Sequence, residues 1–282
     1  MKKITIPVLL AALTISACTF KLIYNHLDWI IPWYVSDYIN LNDEQDGFLG
    51  QQIAQRLKWH RVTQLTLYAR TVRDFRCAAE KGLTRENLDD MHDILRLYWQ
   101  DLVTQITPDV VELLSSATED QLAELLANLE RKNREFKEKY IDPEPETLRR
   151  LKVERMERFL EYFLGSLDER QDAIIADWSA RLAPIGEERL VYIKQNFARF
   201  KEMLAFRNDK NRFREQLRDL LFFNREDWPP EFRIKAEHNR ELTKTVFLEL
   251  DQTLNADQRS HFIRKLESVG GILDELAAQA VP

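Results

Sequence analysis

Four short segments of this chain follow one pattern, and it is a pattern that opens helices. Leu41-Asn42-Asp43-Glu44-Gln45, Ala117-Thr118-Glu119-Asp120-Gln121, Leu167-Asp168-Glu169-Arg170-Gln171 and Leu254-Asn255-Ala256-Asp257-Gln258 each place an apolar residue before Asn, Thr or Asp, with Gln three positions later. The side-chain oxygen of Asn42, Thr118, Asp168 or Asn255 can accept the backbone N–H of that glutamine. Gln45, Gln121, Gln171 or Gln258 can reach back to the N–H of the capping residue. Reciprocal bonds of this kind satisfy donors that every helix start leaves open, and each cap contributes about 1 kcal/mol. The preceding Leu or Ala is placed to act as a hydrophobic staple.

The segments between the caps carry the matching signal. Leu49, Ile53, Leu57, Leu65, Tyr68, Val72 and Phe75 keep a three-to-four residue period, which predicts one long helix from Asp43 to about Ala79. Thr84 with Asn87 starts the next helix, and Thr107-Pro108 reads as a further start because proline suits a first helical turn. Another helix is expected from Glu119 to about Tyr140. Asp142-Pro143-Glu144-Pro145 breaks the pattern. Turns follow near Gly165-Ser166, Ala183-Pro184 and Arg207-Asn208. Trp228-Pro229-Pro230 opens a helix to Leu250, and the last runs from Ala256 to about Ala280 with Gly270-Gly271 as a weak point. Seven glycines in 282 residues is far below the usual share of roughly 7%, as expected of long helices with short connections. The fold class is all-α, a multi-helix bundle of long antiparallel helices. The first and second caps are 76 residues apart and the third and fourth 87, which suggests two similar halves, 41–141 and 146–282, from a tandem duplication.

The N-terminus has a different character. Lys2 and Lys3 precede an apolar run from Ile4 to Ile15, followed by Ile15-Ser16-Ala17-Cys18. A charged start, a run too short to span a bilayer and small residues before a cut describe a secretory signal over residues 1–17. The last four residues resemble the lipobox of bacterial lipoproteins. The resemblance implies cleavage between Ala17 and Cys18, lipidation of Cys18 and a membrane tether. Thr19, where an aspartate would retain such proteins in the inner membrane, implies the outer membrane, periplasmic face. Residues 18–40 then carry Phe20, Tyr24, Trp29, Trp33, Tyr34 and Tyr38. These aromatic residues fit packing on the body, the favoured reading, or resting on the bilayer beside the anchor.

Chemistry is sparse. His26, His60, His92, His238 and His261 include no His-x-x-x-His pair, and no two cysteines are available to a metal once Cys18 is lipidated, so no metal or cofactor is expected. There is no nucleophile elbow, P-loop or dinucleotide fingerprint, and no catalytic residue is assigned. The chain is expected not to be an enzyme; a wall-cleaving carboxylate pair is the residual alternative. A formal net charge of −6 argues against nucleic acid. Cys77, on a helix, reads as a small buried apolar residue, with an intermolecular thiol as the alternative. Arg131, Lys132, Arg134, Lys137 and Lys139, and the basic residues between Arg207 and Arg218, read as helix surface or as docks for an anionic polymer.

Two resemblances bear on function. The four segments resemble the apolar-Thr-x-x-Gln motifs at helix starts of the Spy-like periplasmic chaperones, small all-α proteins with two such motifs, although Thr itself stands only at Thr118. The lipobox, the aromatic stretch to Tyr38, Leu41-Asn42-Asp43-Glu44-Gln45 and Trp59-His60-Arg61 together resemble an uncharacterised family of proteobacterial lipoproteins. The first implies an ATP-independent envelope holdase, with unfolded proteins as clients; the second implies the envelope location and the fold but no activity, and a scaffold for one envelope complex is the alternative function.

Overall fold

The computed structural model describes residues 17–279, with side chains from Thr19 onward; residues 1–16 of the expected signal segment and the side chains of Ala17 and Cys18 lie outside the described residues. Among the described residues there is no strand. The helices are α1 (Ala17–Asn25), α2 (Leu27–Ser36), α3 (Asp43–Trp59), α4 (Leu65–Lys81), α5 (Arg85–Ser115), α6 (Glu119–Tyr140), α7 (Pro145–Leu164), α8 (Glu169–Arg181), α9 (Gly186–Leu204), α10 (Lys210–Phe222), α11 (Pro230–Thr253) and α12 (Ala256–Ala278). None is long and apolar enough to cross a membrane.

All four predicted capping boxes form, and Thr84 with Asn87 makes a fifth. Leu41, Ala117, Leu167 and Leu254, the residues before the four repeated caps, all pack into the cores. Pro145 and Pro230 sit in first turns, where their missing N–H costs nothing. Gly82 and Gly165 end α4 and α7 at φ 94° and 85°, a region closed to most side chains.

Three expectations are corrected. Thr107-Pro108 does not start a helix, because α5 runs through it to Ser115. Thr107 is buried and its hydroxyl donates to the Val103 carbonyl at 2.6 Å, so packing holds the helix across the proline. Gly270-Gly271 is no weak point. Gly270 is buried where α12 crosses α4, facing Val72, Arg73 and the Ala69 carbonyl, in the most extensive helix pairing of the molecule. Cys77 is exposed, and the neighbouring Ala79 takes the buried position.

The long helix predicted from Asp43 forms as one rod, α3 and α4 joined by a π-turn at His60–Gln64. Buried or half-buried positions fall at 53, 57, 61, 65 and 69, a run of four-residue steps. Such a run drifts around a 3.6-residue helix, and the wider π-turn absorbs the drift. Three cores follow. One joins α5 and α6 to the end of α9 and to α10, around Val111, Leu114, Leu122, Met203 and Phe213. A second joins α7, α8, α11 and α12 to the end of α4, around Leu160, Phe163, Ile175, Val246 and Leu250. The third holds α1 against α4 and α12 through Tyr24, Leu65, Ala69, Ile272, Leu273 and Leu276. Every core contains residues from both sides of the double-proline break.

Candidate functional site

The repeated glutamines are fasteners inside the fold. Gln45 and Gln121 meet, each amide Nε2 donating to the other's Oε1 at 3.1 and 2.6 Å. Gln171 and Gln258 do the same at 3.1 and 2.8 Å. Each Oε1 also accepts the N–H of its own capping residue. Each Nε2 also donates to the residue two before the partner's cap: Ser116 O, Asn40 O, Thr253 Oγ1 and Ser166 O. Two donors and two acceptor positions are thereby used on every amide. One unit pins the turn between α2 and α3 to the turn between α5 and α6. The other pins the α7–α8 turn to the α11–α12 turn. In both, the outgoing helix of the first hairpin packs on the incoming helix of the second: α3 on α5, and α8 on α11.

The basic clusters are largely paired. Arg131 and Lys132 engage Glu135 and the end of α2, and Lys137 engages Asp142. Arg207 engages Glu119, Lys210 engages Glu112, and the Arg212 guanidinium lies 3.9 Å from the Phe206 ring centroid. His60 sits at the π-turn, its Nδ1 3.0 Å from the Tyr24 hydroxyl, and burial pushes its pKa down to about 4. Arg61 is buried beside it, donating to Leu276 O and Gln279 Oε1 at the end of α12 and to Asn25 Oδ1. Among the described residues no group of three or more His, Cys, Asp or Glu side chains is placed to hold a metal.

The surface feature that local structure does not explain is an aromatic step between α5 and α10. Phe223 ends α10 with φ 50° and ψ 45°, the one left-handed non-glycine residue among those described. A bulky side chain in that conformation is strained by about 1–2 kcal/mol, and glycine is the usual occupant. The ring is not held there by burial, since Phe223 is 46% exposed. It stacks on Trp99, ring centroids 5.9 Å apart and planes inclined by 24°. The Trp99 Nε1 donates at 2.8 Å to the Leu221 carbonyl, one of those left open at the end of α10. Leu95, one turn before Trp99 on α5, is also exposed.

Charge flanks the step. Arg225 lies between His92 and Glu237, and Arg240, Glu241, Lys244, Asp89 and Arg85 continue an ion network between α5 and α11. An arginine has no acceptor, so His92 Nε2 must accept from Arg225. Burial and the nearby Arg225 and Arg240 charges hold the His92 pKa below the usual imidazole range, consistent with a neutral ring. The result is an apolar shelf with a charged border. In the sequence, Phe222-Phe223 stand out only as neighbours of the apolar Trp228-Pro229-Pro230 loop. The usable signal was a helix end before Trp228-Pro229-Pro230 with no glycine to close it.

The sequence pattern of a family of unknown function, DUF6279, matches residues 37–233. The chain belongs to this family. The DUF6279 region takes in the π-turn, the first glutamine pair and the whole aromatic step, and stops short of Gln258. No curated protein and no solved structure matches the chain.

Proposed function

We propose that this DUF6279 member is a lipid-tethered binding protein of the cell envelope, which holds a dedicated protein partner on the Leu95–Trp99–Phe223 step. The observation that carries the reading is Phe223 itself. A strained backbone that presents an aromatic ring to solvent, braced by a capped indole, is a pre-organised anchor of the kind found at the centre of interfaces. The tether rests on the lipobox ending at Cys18. A periplasmic outer-membrane address follows from Thr19 by resemblance.

A holdase for many unfolded clients is the second reading. The exposure of Leu97, Val191 and Ile234 in addition to the step favours it, because scattered shallow apolar surface tolerates many sequences. The motif glutamines that resemble those of Spy-like chaperones are consumed by the two internal pairs, so they supply no client contacts.

A photo-crosslinking residue at position 95 in the full-length lipidated protein separates the two. One recurrent adduct, lost when Trp99→Ala removes the brace, supports the dedicated partner. Many adducts, together with suppressed aggregation of two unrelated unfolding proteins, would support the holdase. Neither adduct nor protection would remove the binding reading.

A further inference from the structure

The segment that follows Cys18 presents its apolar residues in two directions. One side is clamped to the body. Phe20, Tyr24 and Leu27 enter the third core, and Val35 and Tyr38 pack on the first. Lys21 pairs with Glu275, the Arg61 guanidinium lies 5.1 Å from the Tyr24 ring centroid, and Arg61 donates to Asn25. The other side is bare. Leu22, Trp29 and Trp33 are 58%, 68% and 43% exposed. Trp29 and Trp33, four residues apart, share one face of α2, and Leu22, on α1 before the turn at His26, adds a third exposed apolar residue to this stripe. α2 has no buried residue, although only Asp28 and Ser36 in it are polar.

The stripe begins one turn from the cysteine. Leu22 lies four residues beyond Cys18, a rise of about 6 Å, which is within the headgroup zone of any leaflet holding that residue's lipid. Tryptophan favours that zone because its ring is apolar and its indole N–H stays hydrated. A helix that must find a membrane unaided carries a basic face. This one has none, as expected if the acyl chains supply affinity and the stripe supplies orientation. We infer that Leu22, Trp29 and Trp33 lie in the interface of the phospholipid leaflet that anchors Cys18, making the tether a two-point mount that fixes how the body stands on the membrane. This inference rests on the lipid-tether part of the proposed function.

The test uses full-length lipidated protein in vesicles of phosphatidylethanolamine and phosphatidylglycerol with brominated acyl chains, which quench tryptophan by contact. Trp29 and Trp33 are two of six tryptophans, so loss of up to about a third of the emission is expected. The Trp29→Ser/Trp33→Ser protein should escape quenching while staying vesicle-bound. Both rings are exposed, so its urea midpoint should not move. If that double variant loses its urea transition, Trp29→Ser alone should still lose part of the quenching. Equal quenching of wild type and variant overturns the inference. So does a concentration-dependent blue shift without lipid, which would assign the stripe to self-association. Acyl label on Cys18 with unquenched tryptophan removes the mount and leaves the tether. Absence of acyl label removes both.

Discussion

Phe223 and His60 make opposite use of burial. Phe223 keeps an unfavourable backbone with its ring in solvent, so Phe223→Gly should stabilise the isolated protein by about 1 kcal/mol through release of left-handed strain. The same change should weaken partner crosslinking at position 95, and urea denaturation beside the crosslinking yield reads both effects. If Phe223→Gly destabilises the chain, the ring is a packing element and the anchor reading falls. His60 is packed by Tyr24, Trp59 and Tyr68, with Arg61 close by, and its pKa is pushed down to about 4 from an ordinary 6.5. A histidine depressed in the folded state is protonated first in the unfolded chain. Above pH 6.5 the two states bind equal protons at this site. As pH falls from 6.5 toward 4, stability is lost, by up to about 2 kcal/mol after allowance for solvent screening. His60→Gln retains an acceptor for the Tyr24 hydroxyl and cannot titrate. Its urea stability should therefore fall less than that of the wild type between pH 7 and pH 4.5. Parallel curves would show that the site does not titrate in this window.

At the scale of elements, the glutamine pairs carry the largest consequence. Gln171 is fully buried, and Gln171→Ala strips its cap of a reciprocal bond and removes one donor and one acceptor partner of the Gln258 amide, which keeps only Ser166 O and the Asn255 N–H. A loss of about 3 kcal/mol is expected, with a smaller loss for Gln121→Ala, whose site is more open. A double-mutant cycle on Gln171 and Gln258 should give a coupling of about 1 kcal/mol or more. Additive losses would mean that the two amides act only as caps. The caps were legible from sequence because each is a local bond set three residues long. Their pairing was not, since the partners are 76 and 87 residues apart and nothing local encodes the meeting. The same distinction explains Pro108 and Cys77. Proline chemistry suggested a helix start, but burial of Thr107, Val111 and Leu114 keeps α5 intact. Helical periodicity put Cys77 within reach of a core that Ala79 fills instead. The aromatic step was invisible for a related reason, because Trp99 and Phe223 stack across 124 residues of chain.

For the whole molecule, the double-proline break is conspicuous in sequence and ends no core. Two hairpin pairs are each closed by two glutamines, with the outgoing helix of the first hairpin packed on the incoming helix of the second. The path between the caps nevertheless differs, running through the α3–α4 rod and α5 in one case and through α8, α9, α10 and α11 in the other. The cores cross the break: Met203, Phe213 and Leu217 complete the one built on α5 and α6, and Leu65 and Ala69 lie against Leu273 and Leu276. Each fully buried leucine contributes about 2 kcal/mol, so cutting the chain at the break exposes more apolar surface than either piece can spare against a net stability of about 5–15 kcal/mol. Residues 19–144 and 145–282 produced separately should therefore lack a cooperative urea transition, and residues 19–282 should unfold in a single one. Mixing the two pieces should restore near-ultraviolet dichroism from the aromatic side chains. Sigmoidal transitions in the separate pieces would instead show two independently stable halves, with the crossing contacts added to structures that already stand alone.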